Sequence, residues 1–137
     1  MGVVGGPHGV QETAGPVILL DTNALIWLEQ GHRRARPLQR GRQRLYISPA
    51  SLMELQMLHE VGRIALDAGG LEAIVADDRW LLDDPPASRW FLRATEEGWT
   101  RDPFDRLIAA HARLRGWTLA SGDRQILDHL GSHTLAL

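Results

Sequence analysis

Val17-Ile18-Leu19-Leu20 is a continuously apolar, partly β-branched run closed by Asp21-Thr22-Asn23. Such a run reads as a buried central strand that delivers polar residues at its carboxyl end. A helix then begins near Ala24, and an arginine-rich stretch interrupted by Pro37 and Gly41 leads to a second short strand, Leu45-Tyr46-Ile47. Ser48-Pro49 is a serine cap followed by proline at the first helical position, which predicts a helix from Pro49 to about Val61 with Gly62 as its stop. Residues 71–76 and 86–97 carry helical patterns, with a strand around Trp80 to Leu82 between them. Asp102-Pro103 opens a helix to about Arg115, ended by Gly116 and followed by a strand over Trp117 to Ser121. A short helix near Arg124 to His129 and a strand over Thr134 to Leu137 complete the chain. Alternating strands and helices predict an α/β fold with a mostly parallel sheet.

The first sixteen residues break this pattern. They hold five glycines, two prolines and no apolar periodicity, so a flexible extension is expected over 1–16 and the folded domain over 17–137. No cation precedes Val17 to Leu20, and that run is far too short for a signal core or a membrane span. At 137 residues and 44% hydrophobic, the chain suits one domain with one core. It has no cysteine, which excludes disulfides, iron–sulfur clusters and thiol nucleophiles, and a cytoplasmic protein is the expectation. Every one of its 15 basic side chains is arginine, so lysine-dependent chemistry is excluded, including the phosphate loop of the NTPases and Schiff-base catalysis. Arg33, Arg34, Arg36, Arg40, Arg42 and Arg44 fall within residues 31–53, where no acid occurs, although the chain as a whole carries a net charge of −2. Such a cluster can contact RNA phosphates through guanidinium forks, or can form a solvated or partner-facing surface.

In an open parallel sheet, ligands bind beyond the carboxyl ends of the strands. Four acids meet that condition. Asp21 closes the first strand, Glu54 lies early in the helix after the second, Asp105 lies in the first turn of the helix from Pro103, and Asp123 follows the strand ending at Ser121. Around Glu54, Ala50, Ser51, Met57, Leu58 and Val61 form a largely apolar row, which puts its carboxylate on an inward face. Ile108, Ala109 and Ala112 do the same for Asp105. Each acid alone also reads as a helix cap, a first-turn acid or an ion-pair partner. Together they repel by roughly several kcal/mol per close pair, so the cluster requires protons or a cation. Oxygen donors without histidine or cysteine favour Mg²⁺ or Mn²⁺ over Zn²⁺, and such a centre activates water and neutralises charge on a phosphodiester.

Four segments carry a family resemblance: Leu-Leu-Asp-Thr-Asn-Ala at 19–24, Ser-Pro-Ala-Ser-Leu-Met-Glu-Leu at 48–55, Arg-Asp-Pro-Phe-Asp-Arg-Leu-Ile-Ala-Ala-His-Ala at 101–112 and Thr-Leu-Ala-Ser-Gly-Asp at 118–123. From about Val17 to Gly131 the chain resembles the PIN-domain ribonucleases, and within them the VapC-type toxins of toxin–antitoxin pairs. The resemblance implies a three-layer α/β/α arrangement with a central sheet flanked by helices, a homodimer, Mg²⁺- or Mn²⁺-dependent endonucleolytic cleavage of RNA, and neutralisation by a cognate VapB-like antitoxin. It implies metal-binding roles for Asp21, Glu54 and Asp105, with Asp123 as the more variable fourth acid. It also implies supporting roles for Ser121, next to that acid, and for Asn23, at the polar position that orients a water. Asp102 reads first as the cap of the helix from Pro103, and His111 as a supporting or core residue. Met53 and Leu58 depart from the family pattern, where tryptophan and lysine are common. Two other readings remain open at this level: a catalytically silent RNA- or partner-binding module on the same scaffold, and a haloacid-dehalogenase-type phosphohydrolase with Asp21 as nucleophile. The second fits poorly, since Asn23 stands where that family has an acid and no lysine exists.

Overall fold

The computed structural model describes residues 15–137. The structural half of the expectation over 1–16 lies outside the described residues except for Gly15 and Pro16, which hydrogen-bond through their backbones to Arg42 and Arg44. Five strands form a single sheet: β1 (Val17–Leu20), β2 (Arg44–Ile47), β3 (Leu81–Leu82), β4 (Thr118–Ser121) and β5 (Thr134–Ala136). Their order is β3-β2-β1-β4-β5 and all four pairings are parallel. Ile18 pairs with Leu45 on one side of β1 and with Thr118 on the other. The sheet therefore reverses its winding at β1 and β4, and the crevice at such a switch point is where open parallel sheets bind ligands.

Alternation along the strands divides the core between two faces. Ile18, Leu20, Leu45, Ile47 and Ala120 pack with Leu25 and Leu28 of α1 (Thr22–Gln30), Leu55 of α2 (Pro49–Glu60) and Trp80, with Leu71 and Ile74 of α3 (Gly70–Ala76) against them. Leu19 and Leu119 point the other way and pack with Trp90 and Ala94 of α4 (Ala87–Ala94), Ile108, Ala109 and Ala112 of α5 (Pro103–Arg115), and Ile126 and Leu130 of α6 (Arg124–Leu130). This is the three-layer α/β/α arrangement. Among the described residues no helix is long and apolar enough to cross a membrane.

Local chemistry explains most boundaries. α1 starts at Thr22, two residues before the expected point, because Asp21 is itself the cap and its Oδ1 accepts from the Ala24 N–H at 2.7 Å. Ser48 caps α2, and Gly116, at φ 70°, closes α5. α4 stops at Ala94 rather than at 97. The chain turns there through Thr95, whose hydroxyl donates to the Leu92 carbonyl at 2.6 Å, and Glu97 is drawn inward to the Trp99 indole and Arg113. The arginine-rich stretch holds a 3₁₀ turn, Arg33–Gln39, that sequence periodicity did not indicate.

Candidate active site

Three of the acids sit where helices begin, Asp21 directly after a strand and Asp123 two residues after one, and each spends one oxygen on the helix it caps. Asp21 caps α1; Asp102 caps α5, its Oδ1 accepting from the N–H groups of Phe104 at 2.8 Å and Asp105 at 3.3 Å; Asp123 caps α6 through the Ile126 N–H at 3.2 Å. Capping fixes the carboxylates at the positive ends of three helices and leaves the second oxygen of each uncommitted to its cap. Asp105, one turn into α5, and Glu54, in the second turn of α2, bring carboxylates from both helical layers toward the same edge of the sheet.

Electrostatics show that the five acids share one region. Burial pushes the Asp21 carboxyl up to about 6, opposed by the Ser121 hydroxyl and the Ala24 N–H and reinforced by the charges of Glu54 and Asp123. Asp105 is pushed up to about 7, first by burial and then by Asp102, Asp123, Glu54 and Asp21. Glu54 is raised by burial and by Asp102, against the hydrogen bond from Thr22. Among the described residues none of the five forms an ion pair with an arginine or histidine. Fifteen arginines in the chain leave this cluster uncompensated.

The acids perturb one another without forming a preassembled coordination set. Among the described residues no group of three His, Asp or Glu side chains is close enough to hold an ion as it stands. Mutual repulsion and the individual tethers account for the separation. Thr22 Oγ1 donates to Glu54 Oε1 at 2.5 Å and is hydrogen-bonded to Ser51 Oγ at 3.0 Å, which holds the Glu54 carboxylate over the start of α1. The donor set is nonetheless all oxygen, partly buried and lacking a counter-charge, which fits a hard divalent cation.

The sequence-derived candidates divide by position. Asp21, Glu54, Asp105 and Asp123 converge electrostatically. Ser121 is fully buried and its Oγ accepts from the Asp123 N–H at 3.0 Å, which supports the loop between two of the acids. Asn23 is exposed in the first turn of α1. The six arginines do not form one wall of the crevice. Arg44 opens β2 at the opposite, amino edge of the sheet. Arg34 instead lies with its guanidinium 4.1 Å from the Trp27 ring centroid and donates to the Leu137 carbonyl at 2.8 Å. Both side chains press on Gly122, where a Cβ would come within 2.5 Å of Arg34 Nη2 and 2.7 Å of Trp27 Cη2. Gly122 stands between Ser121 and Asp123, so Arg34 is placed beside the crevice.

Thr22, which tethers Glu54, carries no sequence signal beyond its place between Asp21 and Asn23. Asp102 caps α5 as the sequence indicates, and its charge also bears on Glu54 and Asp105. One expectation is corrected: the row around Glu54 is not uniformly inward. Ala50 and Ser51 are buried, but Met57 and Val61 are 48% and 70% exposed, because the second half of α2 extends past the core that Leu55 joins.

The PIN domain family model matches residues 18–131. No curated protein matches the chain in sequence. Among solved structures the chain is similar to a toxin–antitoxin complex from Klebsiella pneumoniae, with a TM-score of 0.65 and 19% identity over 87% of this chain and 96% of that one. It is similar to VapBC-1 from nontypeable Haemophilus influenzae, with a TM-score of 0.63 and 18% identity over 88% and 97% of the two chains. VapBC2 from Rickettsia felis, bound to a promoter DNA fragment, gives a TM-score of 0.59 and 19% identity over 88% and 97%. At these identities the likeness is one of fold.

Proposed function

The chain belongs to the PIN domain family, and on that premise we propose that it is a metal-dependent endoribonuclease of the VapC toxin kind, hydrolysing RNA phosphodiester bonds and neutralised by a cognate VapB-like antitoxin. The observation that carries the reading is the uncompensated set of acids at the sheet's switch point, led by Asp21 and Asp105. Asp21, Glu54 and Asp105, with Asp123, would hold Mg²⁺ or Mn²⁺. A bound divalent cation supplies charge neutralisation on the phosphodiester and a more acidic water. The chain's own contribution is placement. Helix caps fix Asp21 and Asp123, Thr22 fixes Glu54, Ser121 supports the Asp123 loop, and Arg34, beside Gly122, would be the arginine to meet a phosphate of the RNA strand. No side-chain nucleophile is required.

The nuclease domain is assigned to residues 17–137. The antitoxin proposal is supported by fold likeness to chains described as parts of toxin–antitoxin complexes. The proposed homodimer is supported by Phe91 and Leu92 on α4, 54% and 67% exposed, an apolar surface suited to burial against a second copy. A chain with no cysteine suits a reducing compartment, and the cytoplasm is the proposed site of action.

The test is incubation of cellular RNA with the purified protein and Mg²⁺ or Mn²⁺, beside EDTA and the Asp21→Asn variant. Discrete fragments that disappear in both controls are expected. Intact RNA under all conditions, or cleavage that persists in EDTA, overturns the proposal.

A further inference from the structure

Away from the crevice acids, a second polar cluster is buried between the layers. His111, in the middle of α5, is fully buried. Its Nδ1 lies 2.9 Å from Ser48 Oγ and its Nε2 lies 2.7 Å from Asp83 Oδ2. Arg115 closes the cluster from outside, with Nε 2.8 Å from Asp83 Oδ2 and a guanidinium Nη2 3.2 Å from Oδ1. Trp90 and Trp117 pack around the imidazole with ring centroids 5.3 and 6.0 Å away.

Donors and acceptors can be assigned throughout. Ser48 Oγ accepts from the Ala50 N–H at 3.2 Å as the cap of α2. Among the described residues its own proton meets no acceptor other than His111 Nδ1, so it goes there and Nδ1 is unprotonated. His111 Nε2–H donates to Asp83, and Asp83 accepts from Arg115. The only arrangement satisfying every group is a neutral imidazole carrying its proton on Nε2. Burial, the largest influence on His111, favours the same neutral form. The order serine–histidine–aspartate resembles a nucleophilic triad, but Ser48 is fully buried and its oxygen is engaged by the helix it caps, so no substrate carbonyl can reach it.

What the cluster does is join two elements. Ser48 begins the helix that carries Glu54, and His111 lies on the helix that carries Asp105. We infer that His111 is a positioning residue for the acidic crevice: its Nδ1 bond to the cap of α2 sets the distance between Glu54 and Asp105, and so tunes the affinity of the crevice for a divalent cation. This inference rests on the reading of those acids as cation ligands.

The test uses the full chain and Mn²⁺, with affinity read from the loss of the free-ion electron paramagnetic resonance signal and fold integrity from denaturant unfolding. His111→Asn keeps an acceptor within reach of Ser48 and gives up Asp83. His111→Gln reaches toward Asp83 and gives up Ser48, and His111→Leu gives up both. Affinity is expected to fall by about 10-fold or more in the Gln and Leu variants and to stay close to wild type in the Asn variant, even where all three unfold more readily. In the wild-type protein, ring-nitrogen magnetic resonance is expected to show one buried imidazole protonated on Nε2 alone at neutral pH. Unchanged affinity in folded Gln and Leu variants, affinity that merely tracks stability across the three, or an imidazole protonated on Nδ1 would overturn the inference. Loss of Mn²⁺ binding by the wild type itself, with no difference from Asp21→Asn, would identify the failure as that of the cation-ligand reading and take the inference with it.

Discussion

Asp21 and Asp83 are both carboxylates drawn in from water near strand ends, and their acidities move in opposite directions. Burial raises Asp21 to about 6, with Glu54 and Asp123 adding to the effect. Burial also acts to raise Asp83, but hydrogen bonds from Arg115 and His111 more than offset it and hold that carboxyl below its ordinary value. The difference lies in the neighbours rather than in burial. Asp83 has a guanidinium, an imidazole and the Asp84 backbone N–H, whereas the acids of the crevice have mainly one another. A fold that supplies arginine to one buried carboxylate and withholds it from another leaves the second to be neutralised by a proton or, on the proposed reading, by a divalent cation.

Removing a crevice carboxylate should produce the largest effect. Glu54→Gln and Asp105→Asn are expected to lower RNA cleavage by roughly a thousandfold or more, since several kcal/mol of charge stabilisation would be lost. Single-turnover cleavage at saturating Mn²⁺ measures this, and near-normal rates in both variants would erase the contrast between the clusters. Next in size, Asp83→Ala strands His111 Nε2–H and the Arg115 guanidinium and should destabilise the protein by about 1–3 kcal/mol in denaturant unfolding. Gly122→Ala should cost a similar amount, roughly 1–3 kcal/mol. There the Arg34 end can swing away from the new methyl group, but the Trp27 ring is held by its packing.

The smallest effect is on pH dependence. His111 has its acidity increased by burial, so its folded pKa lies below the ordinary 6.5. Between that depressed value and 6.5 the unfolded chain binds more protons than the folded one. Stability from this group is therefore complete above pH 6.5 and declines as pH falls below it, by at most about 1.4 kcal/mol per pH unit. Asp83 acts lower, its contribution being lost only as pH falls below the usual carboxylate range. Asp105 and Asp21, raised to about 7 and about 6, take up protons in the folded state over the same range and stabilise it as pH falls. The His111 contribution is therefore read as a difference: in unfolding measured from pH 7.5 to 5.5, the wild type should gain less stability than His111→Gln.

The sequence made legible what depends on neighbours along the chain. The apolar run ending at Asp21, Ser48-Pro49 and Asp102-Pro103 each announce a strand end or helix start within a few residues, so the four acids could be assigned to one edge of the sheet. Asp123 capping α6 follows the same local logic. What stayed hidden depends on contacts between distant segments. Thr22 meets Glu54 across 32 positions and Ser48 meets His111 across 63, and no periodicity encodes such pairs. Met57 and Val61 are exposed for the same reason: the helical pattern gives a face, but only the end of the packed core decides how far along the helix that face remains covered. The short β3 shows the limit from another side, since both of its leucines are at least 38% exposed and its pairing to β2 is set by the sheet edge rather than by an apolar pattern.

The most direct test of the cation-dependent crevice compares unfolding of the wild type and Asp21→Asn at pH 7.5, with and without saturating Mn²⁺. Asparagine can still cap α1, and the substitution removes a buried charge. Without metal the variant should therefore be more stable than the wild type, by on the order of 1 kcal/mol, while Mn²⁺ should stabilise the wild type and leave the variant nearly unmoved. A variant that is less stable without metal, or that gains as much from Mn²⁺ as the wild type does, would contradict the account.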